Sequence, residues 1–380
     1  MLEKYLNNKP LYYDEIDYSR MPRIYQKLSL HLSIPKIIHL IGTNGKGTTG
    51  RFLATALYNQ GSNVGHYTSP HILKFNERIW LNGKDIDDET LNNAHNILQK
   101  LLNNKDSESL SYFEYTTLLA IIIYKECDYI VLEAGLGGEH DATAVFPKIV
   151  TLITPIDYDH ESFLGNTIEE IATTKINSIG QHAIIAEQKY SEIYDIAKNI
   201  TKIKDAKLYK IDELLKPENK EKITTISKNL ELPYYLVQNL LLAIVALEFL
   251  KIEWDIKDFS NARLFGRLTK IEKNIYLDVG HNPLAASSIV KAFKDKKLIL
   301  IYNSYKDKDF KEILKILKPI VLSVEIINIE DKRIVARNLL EEALRELDIN
   351  YKSFDGVLQE EYNYLVFGSF TVAEQFLKNR

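Results

Sequence analysis

Short apolar runs alternate with amphipathic ones along most of the chain. Ile37-Ile38-His39-Leu40-Ile41 reads as a buried strand, and Phe52, Leu53, Ala56 and Leu57 fall on one helical face that stops at Gly61. Ahead of that strand, residues 1–36 read as mixed and helical, with an amphipathic run from Ile24 to Leu32 and Pro35 as a break. Val64 to Thr68 is a second strand. Phe75 to Leu81 followed by Asn82-Gly83 predicts a short hairpin, because Asn-Gly accommodates the left-handed turn that joins twisted strands. Residues 88–103 and Phe113 to Tyr124 predict helices, with 103–110 a polar loop between them. Tyr129 to Glu133, Ile149 to Ile156 and Ala183 to Ala186 predict further strands. Thr167-Ile168-Glu169-Glu170 is a capping box opening a helix that carries Lys175. Leu236 to Leu250 is an apolar helix, while 201–230 has too weak a period to assign.

A second alternating block starts near residue 263, with strands at Ile275 to Val279, Leu298 to Tyr302, Val324 to Ile329 and Tyr364 to Phe367, and a helix from Pro283 to Phe293. Strand–helix alternation predicts parallel sheets covered by helices, so the fold class is α/β throughout. The expected organisation is a parallel-sheet phosphate-loop domain over 1–262 and a smaller Rossmann-like α/β domain over 263–380, with the boundary between Asn261 and Arg267. A length of 380 residues agrees with two domains.

Composition narrows the partners. Hydrophobic residues make up 45% and charged ones 26%, enough apolar material for sizeable cores. A net charge of −4 and a pI near 6.2 give no reason to expect a nucleic-acid or anionic-membrane partner. The single cysteine, Cys127, cannot form a disulfide within the chain, which suits a reducing compartment. The N-terminus lacks a signal-peptide pattern, and the longest apolar stretch, Leu240 to Leu250, is too short to span a bilayer. These features predict a soluble, cytoplasmic protein.

Candidate chemistry begins at Gly42-Thr43-Asn44-Gly45-Lys46-Gly47-Thr48-Thr49. A strand, a glycine-rich turn and a helix together form an anion cradle: the glycines let amides face a phosphate and the helix aims its positive end there. Lys46 adds a charge, and Thr48 and Thr49 add hydroxyls. The common pattern places the hydroxyl residue directly after lysine; here Gly47 intervenes. Glu133 ends a buried strand beside Gly135, Gly137 and Gly138, where it reads either as a buried ion-pair member or as a magnesium ligand facing the phosphates. His160, within Asp157-Tyr158-Asp159-His160-Glu161, reads either as structural or as a ligand. Asp278-Val279-Gly280-His281-Asn282-Pro283 closes a strand and opens a helix, so Asp278 and Asn282 read either as caps or as ligand contacts.

Taken in order, these stretches resemble the folylpolyglutamate synthase/dihydrofolate synthase family, of the Mur ligase type. The resemblance is carried by Gly42 to Thr48, Thr68-Ser69-Pro70-His71, Phe75-Asn76-Glu77-Arg78, Tyr112-Phe113-Glu114 and Leu132 to Gly138. It continues through Asp141-Ala142-Thr143, Asp159-His160, Thr174-Lys175, Phe265-Gly266-Arg267-Leu268, Leu277 to Pro283 and Gly368-Ser369-Phe370. It implies that Asn44, Gly45, Lys46, Gly47 and Thr48 hold the ATP phosphates, with Asn239, Arg267 and Asp278 as further nucleotide contacts. Ser69, Glu133 and His160 match magnesium ligands, two ions being expected, and Lys175 matches a lysine that the family carbamylates. Ile16, Asp17, Tyr18, Ser19, Ser111, His140, Asp141 and Ala142 match the pterin side, as in bifunctional bacterial members; His281 and Ser369 match positions near ATP and glutamate. Ser19, Ser111, Glu139 and Ala144 depart from the usual residues on the pterin side.

The implied reaction is ATP-dependent addition of L-glutamate to dihydropteroate and to folates through an acyl phosphate. Lys46, Lys175 and His160 would serve the chemistry, small molecules would be the only partners, and the protein would act as a monomer. Closure about the Gly266 region would keep water from the acyl phosphate. The rival readings are one of the two activities alone, a Mur-type ligase acting on another carboxylate, and a phosphate-loop ATPase switch that forms no bond.

Overall fold

Eight strands build the first sheet: β1 Lys36–Ile41, β2 Val64–Tyr67, β3 Ile79–Leu81, β4 Lys84–Asp85, β5 Tyr129–Glu133, β6 Val150–Ile153, β7 His182–Ile185 and β8 Lys207–Lys210. They lie in the order β4-β3-β2-β5-β1-β6-β7-β8. β2, β5, β1, β6, β7 and β8 run parallel, and β3 and β4 add an antiparallel edge. This computed structural model describes residues 2–10 and 17–380. The chain divides into two units, Met1–Leu232 with Leu236–Ala262, and Pro233–Tyr235 with Arg263–Arg380.

In the first unit the central strands are buried on both faces, which is why they read as continuous apolar runs. Ile38 and Leu40 of β1 pack with Phe52, Leu53 and Leu57 of the loop helix Lys46–Asn59 and with Leu240, Ile244 and Leu247 of helix Tyr234–Phe249. On the opposite face Ile37 joins Leu118, Ile121 and Leu132, and Ile41 joins Ile153, Ile171 and Ile185. The Asn82-Gly83 turn has φ of 47° and 96°, the left-handed pair that a two-residue hairpin between β3 and β4 requires.

β1 sits mid-sheet, and the chain leaves it toward β2 on one side and returns through β6 on the other. Such a crossing point leaves a crevice beyond the carboxyl ends of the strands. The segments that start there are Gly42 after β1, Thr68 after β2, Ala134 after β5 and Thr154 after β6.

The second unit holds β9 Thr269–Glu272, β10 Ile275–Leu277, β11 Leu298–Tyr302, β12 Val321–Ile326, β13 Tyr351–Ser353 and β14 Tyr364–Phe367. Their order is β13-β12-β11-β14-β10-β9, and only β9 runs antiparallel to its neighbour. Its core gathers Ile289, Leu300, Ile313, Val324, Leu340 and Leu365.

Several elements differ from the expectation. Residues 104–109 form a helix, not a loop: Asn103 caps it by accepting from the Asp106 amide at 2.8 Å, and Asp106 is tied to Arg23 and Lys27 at 2.8 and 2.6 Å. The amphipathic run from Ile24 is helical only to Leu28. β12 starts at Val321, three residues before the expected strand, because Val321 and Val324 both enter the core. The unassigned span 201–230 contains the end of helix Glu192–Ile203, then β8, and later helix Lys220–Asn229. β8, β9 and β13 escape a reading by pattern for one reason: each is a sheet edge, where one side is left unpaired and polar residues are favoured. Among the described residues no helix is long and apolar enough to cross a membrane.

Candidate active site

The glycine-rich loop leaves β1 with two residues that only glycine fits. Gly42 has φ of +136°, and a Cβ there would lie 2.1 Å from the Thr154 hydroxyl; Gly45 has φ of +91°, and a Cβ would lie 2.4 Å from Asn239 Oδ1. Asn239, expected among the nucleotide contacts, therefore backs the loop from helix Tyr234–Phe249. The Thr43 and Asn44 amides donate to the Pro155 carbonyl at 2.9 and 3.2 Å, and the Thr43 hydroxyl donates to the Asp157 carbonyl at 3.0 Å. These bonds clamp the loop to the segment after β6. The first bond of the helical ladder runs from Thr49 N to Gly45 O, so the amides of Lys46, Gly47 and Thr48 belong to the helix's positive end.

Two ammonium groups converge on this loop. Lys46 Nζ donates to the carbonyls of Gly42 and Thr43 at 3.1 and 3.2 Å. Lys175 Nζ, from helix Ile168–Ile176, donates to the same Gly42 carbonyl at 3.1 Å. Lys175 is 4% exposed. Burial, and then the charge of Lys46, pull its amine down to about 7. Two lysine amines against one carbonyl oxygen, at the mouth of an anion cradle, make a place that favours a polyanion.

Glu133 ends β5 and is paired in register with Leu40, two residues before Gly42. Its carboxylate, 5% exposed, accepts from the Thr68 hydroxyl and from the Ser69 amide at 3.3 Å. Ser69 precedes a cis peptide to Pro70. His160 sits at the start of a short helical turn with φ of 53°, its Nε2 3.9 Å from Asp159. Asp157 nearby is held by Lys189 at 3.3 Å and by the Tyr190 hydroxyl at 3.0 Å. Among the described residues no three Asp, Glu, His or Cys side chains form a self-contained metal cage.

A second group gathers elsewhere in the first unit. Asp17 accepts from the Ser19 hydroxyl at 2.6 Å and the Ser19 amide at 3.0 Å, and the Tyr18 ring stacks on His140 with centroids 4.0 Å apart. Ser111 caps helix Tyr112–Ile123 in a box with Glu114, and Glu114 takes Arg20 Nε at 3.0 Å, which ties this cap to the helix after Ser19. Asp141 caps the turn that begins at Ala142; its Oδ1 accepts from Thr143, and its Oδ2 accepts from the Leu136 amide at 2.9 Å. Ile16 lies outside the described residues.

In the second unit Asp278, immediately after β10, is buried and accepts from Gly280 N at 2.7 Å, Leu268 N at 2.8 Å and the Tyr235 hydroxyl at 3.0 Å. Burial raises its carboxyl, and Arg267 opposes that rise. The Arg267 guanidinium lies 5.1 Å from the centre of the Phe370 ring, and the His281 ring packs 6.5 Å from the same phenyl. Ser369 caps helix Phe370–Lys378 through the Val372 amide at 3.1 Å. Arg267, His281, Ser369 and Asp278, far apart in sequence, thus gather in one unit.

No family model matches the chain. A dihydrofolate synthase/folylpolyglutamate synthase of Haemophilus influenzae is 30% identical over 408 residues, covering 95% of this chain and 92% of that protein. The chain belongs to the dihydrofolate synthase/folylpolyglutamate synthase family. Among solved structures, a Helicobacter pylori folylpolyglutamate synthetase superposes with a TM-score of 0.80 at 39% identity, covering all of this chain and 97% of that one. A bifunctional folylpolyglutamate synthase/dihydrofolate synthase with Mn, AMPPNP and L-glutamate bound has a TM-score of 0.82 at 25% identity, covering 99% and 96%.

Family motifs show up in the sequence, but the partners that brace them do not. Thr68 on Glu133 opens the Thr68-Ser69-Pro70-His71 stretch but draws no role of its own there, and Thr154 behind Gly42 is an ordinary threonine with no local pattern. Tyr235 on Asp278 opens an apolar helix and reads as part of it. His39 hides inside an apolar strand. Only membership of a motif, as for Thr68, could have drawn attention to any of them.

Proposed function

We propose that the chain adds L-glutamate to 7,8-dihydropteroate and to tetrahydrofolates, forming ADP and phosphate. Membership of the family makes it an ADP-forming acid–amino-acid ligase. The observation that carries the reading is the convergence of Lys46 and Lys175 on Gly42, one strand across from Glu133.

The acceptor's carboxylate attacks the γ-phosphorus of ATP, ADP leaves, and an acyl phosphate results. The amine of glutamate then attacks the acyl carbon, phosphate departs and an amide bond remains. Lys46 and the amides of Lys46 to Thr48 hold the triphosphate and stabilise charge as it moves to the bridging oxygen. Asn44, Gly45 and Asn239 shape that cradle, and Arg267 and Asp278 serve the nucleotide. Asp17, Tyr18, Ser19, Ser111, His140, Asp141 and Ala142 form the acceptor side; the family resemblance adds Ile16, which lies outside the described residues. His281 and Ser369 serve glutamate.

Ser69, Glu133 and His160 would hold magnesium. One carboxylate with a hydroxyl and an imidazole is a sparse set, and it suits an ion that keeps waters and shares phosphate oxygens rather than one caged by protein. The ion would supply charge neutralisation at the γ-phosphoryl oxygens. A second ion would require a new anion, and carbamylated Lys175 would provide one. Carbon dioxide adds only to a neutral amine with loss of a proton, and an amine held down to about 7 is neutral in substantial part at physiological pH. The protein acts as a monomer in the cytoplasm, with small molecules as its only partners.

The test is incorporation of labelled L-glutamate with dihydropteroate and, separately, with tetrahydrofolate as acceptor. Both are expected to accept label in an ATP-dependent way. Label on one alone would reduce the enzyme to a single activity; label on neither would remove the folate reading.

A further inference from the structure

His39 lies in the middle of β1, fully buried, between Ile38 and Leu40, which both enter the core. A histidine there has lost its hydration and needs compensation. Its Nε2 is 2.8 Å from the Thr143 hydroxyl, and among the described residues its Nδ1 has no hydrogen-bond partner. The Thr143 hydroxyl is in turn 2.6 Å from Asp141 Oδ1, which also accepts from the Thr143 amide at 2.9 Å. The other Asp141 oxygen accepts from Leu136 N at 2.9 Å.

Proton counting fixes the tautomer. Burial raises the Asp141 carboxyl and the N–H bonds on both its oxygens oppose that rise; with both oxygens accepting, the Thr143 hydroxyl proton points to the carboxylate. That hydroxyl then has only lone pairs to offer His39. Burial keeps the imidazole neutral, with one N–H. Placed on Nδ1, that proton would be a buried donor with no acceptor; placed on Nε2, it meets the Thr143 oxygen.

The chain His39–Thr143–Asp141 ends on the stretch from Leu136 to Ala142. Asp141 N donates to Gly138 O at 3.1 Å and Ala144 N to Asp141 O at 2.9 Å, so the carboxylate that receives the relay lies at the centre of that fold. His140, stacked on Tyr18, and Ala142 are its neighbours. We propose that His39 is a positioning residue for acceptor binding: its Nε2–H orients the Thr143 hydroxyl, the hydroxyl orients Asp141, and Asp141 sets the segment that carries His140 and Ala142. This rests on the reading of residues 140–142 as part of the acceptor side. β1 also feeds the phosphate loop at Gly42, so the same strand that delivers Lys46 sets the frame for the acceptor.

Two variants and one spectrum test it. His39→Leu removes the donor, and His39→Gln restores an N–H near the Nε2 position. His39→Leu is expected to raise KM for dihydropteroate about ten-fold or more, leaving KM for ATP and kcat within about two-fold, and His39→Gln to recover most of the loss. Nitrogen-15 spectra of the wild-type protein are expected to show His39 protonated at Nε2 and bare at Nδ1, which needs no variant to fold. An Nδ1–H tautomer overturns the proposal, as does an equal rise in the KM of ATP and acceptor. Wild-type protein that ligates glutamate while His39→Leu keeps its acceptor KM overturns this role alone. Wild-type protein that binds no pteroate in calorimetry overturns the functional reading and this role with it.

Discussion

Lys175 is a lysine in a place that disfavours its charge. The unfolded chain holds it protonated up to about 10.4, and the folded chain lets go near 7. Between those values the unfolded state binds a proton that the folded state lacks, so this group makes stability rise with pH. Its cost is fully present below pH 7 and is gone above about 10.5. Lys175→Met should therefore stabilise the apo protein at pH 7, and the advantage should shrink by about 2 kcal/mol by pH 9, at up to about 1.4 kcal/mol per pH unit. Urea unfolding of both proteins in CO2-free buffer at pH 7 and 9 measures it, and the comparison cancels Lys148, whose ammonium burial also lowers, to about 8. An advantage that does not change with pH would mean that Lys175 is charged in the fold. The same variant should lose ligation, since it loses the amine that would carry the proposed carbamate. Nothing in the local sequence distinguishes Lys175 from a surface lysine at the end of a capped helix. Its burial comes from Gly138, whose missing side chain lets the backbone of Lys175 approach to 2.3 Å of where a Cβ would be.

For the loop between β1 and its helix, backbone shape matters more than side-chain chemistry. Gly45→Ala would place a methyl 2.4 Å from Asn239 Oδ1 at a φ of +91°. Strain and overlap together should lower stability by about 1–3 kcal/mol. The larger effect should be on nucleotide: KM for ATP should rise at least ten-fold. Gly45→Ala with Asn239→Ala removes the overlap and keeps the strain, so it should recover part of the stability and little of the affinity. A double-mutant cycle by thermal melting and ATP titration separates the two. This loop was legible because strand, glycines and helix are contiguous in sequence. The central strands were legible because burial on both faces leaves unbroken apolar runs such as Tyr129 to Glu133. The edges were not: Lys207–Lys210, Thr269–Glu272 and Tyr351–Ser353 are polar by position, and their strand character exists only through a neighbour the sequence does not name. The helix Asn104–Ser109 was missed because its polar residues show no apolar period and its tie to Arg23 and Lys27 through Asp106 spans some 80 residues of chain.

At the scale of the whole molecule, a ligase and an ATPase switch can share the phosphate loop and differ in the fate of the γ-phosphoryl group. A switch releases phosphate to water and needs no amine. A ligase that makes an acyl phosphate must shield it from water until the amine arrives. The first unit supplies the cradle and its two lysines, while His281 and Ser369 of the second, proposed to serve glutamate, would have no use in a protein that only hydrolyses ATP. With acceptor and ATP present, phosphate release should therefore rise at least ten-fold when L-glutamate is added, with one glutamate incorporated per phosphate. Hydroxylamine in place of glutamate should yield the acceptor hydroxamate, because it captures the same acyl phosphate. Phosphate release at one rate with and without glutamate, and no hydroxamate, would show that the terminal phosphoryl goes to water. In that case the cluster in the second unit would have to serve regulation rather than bond formation.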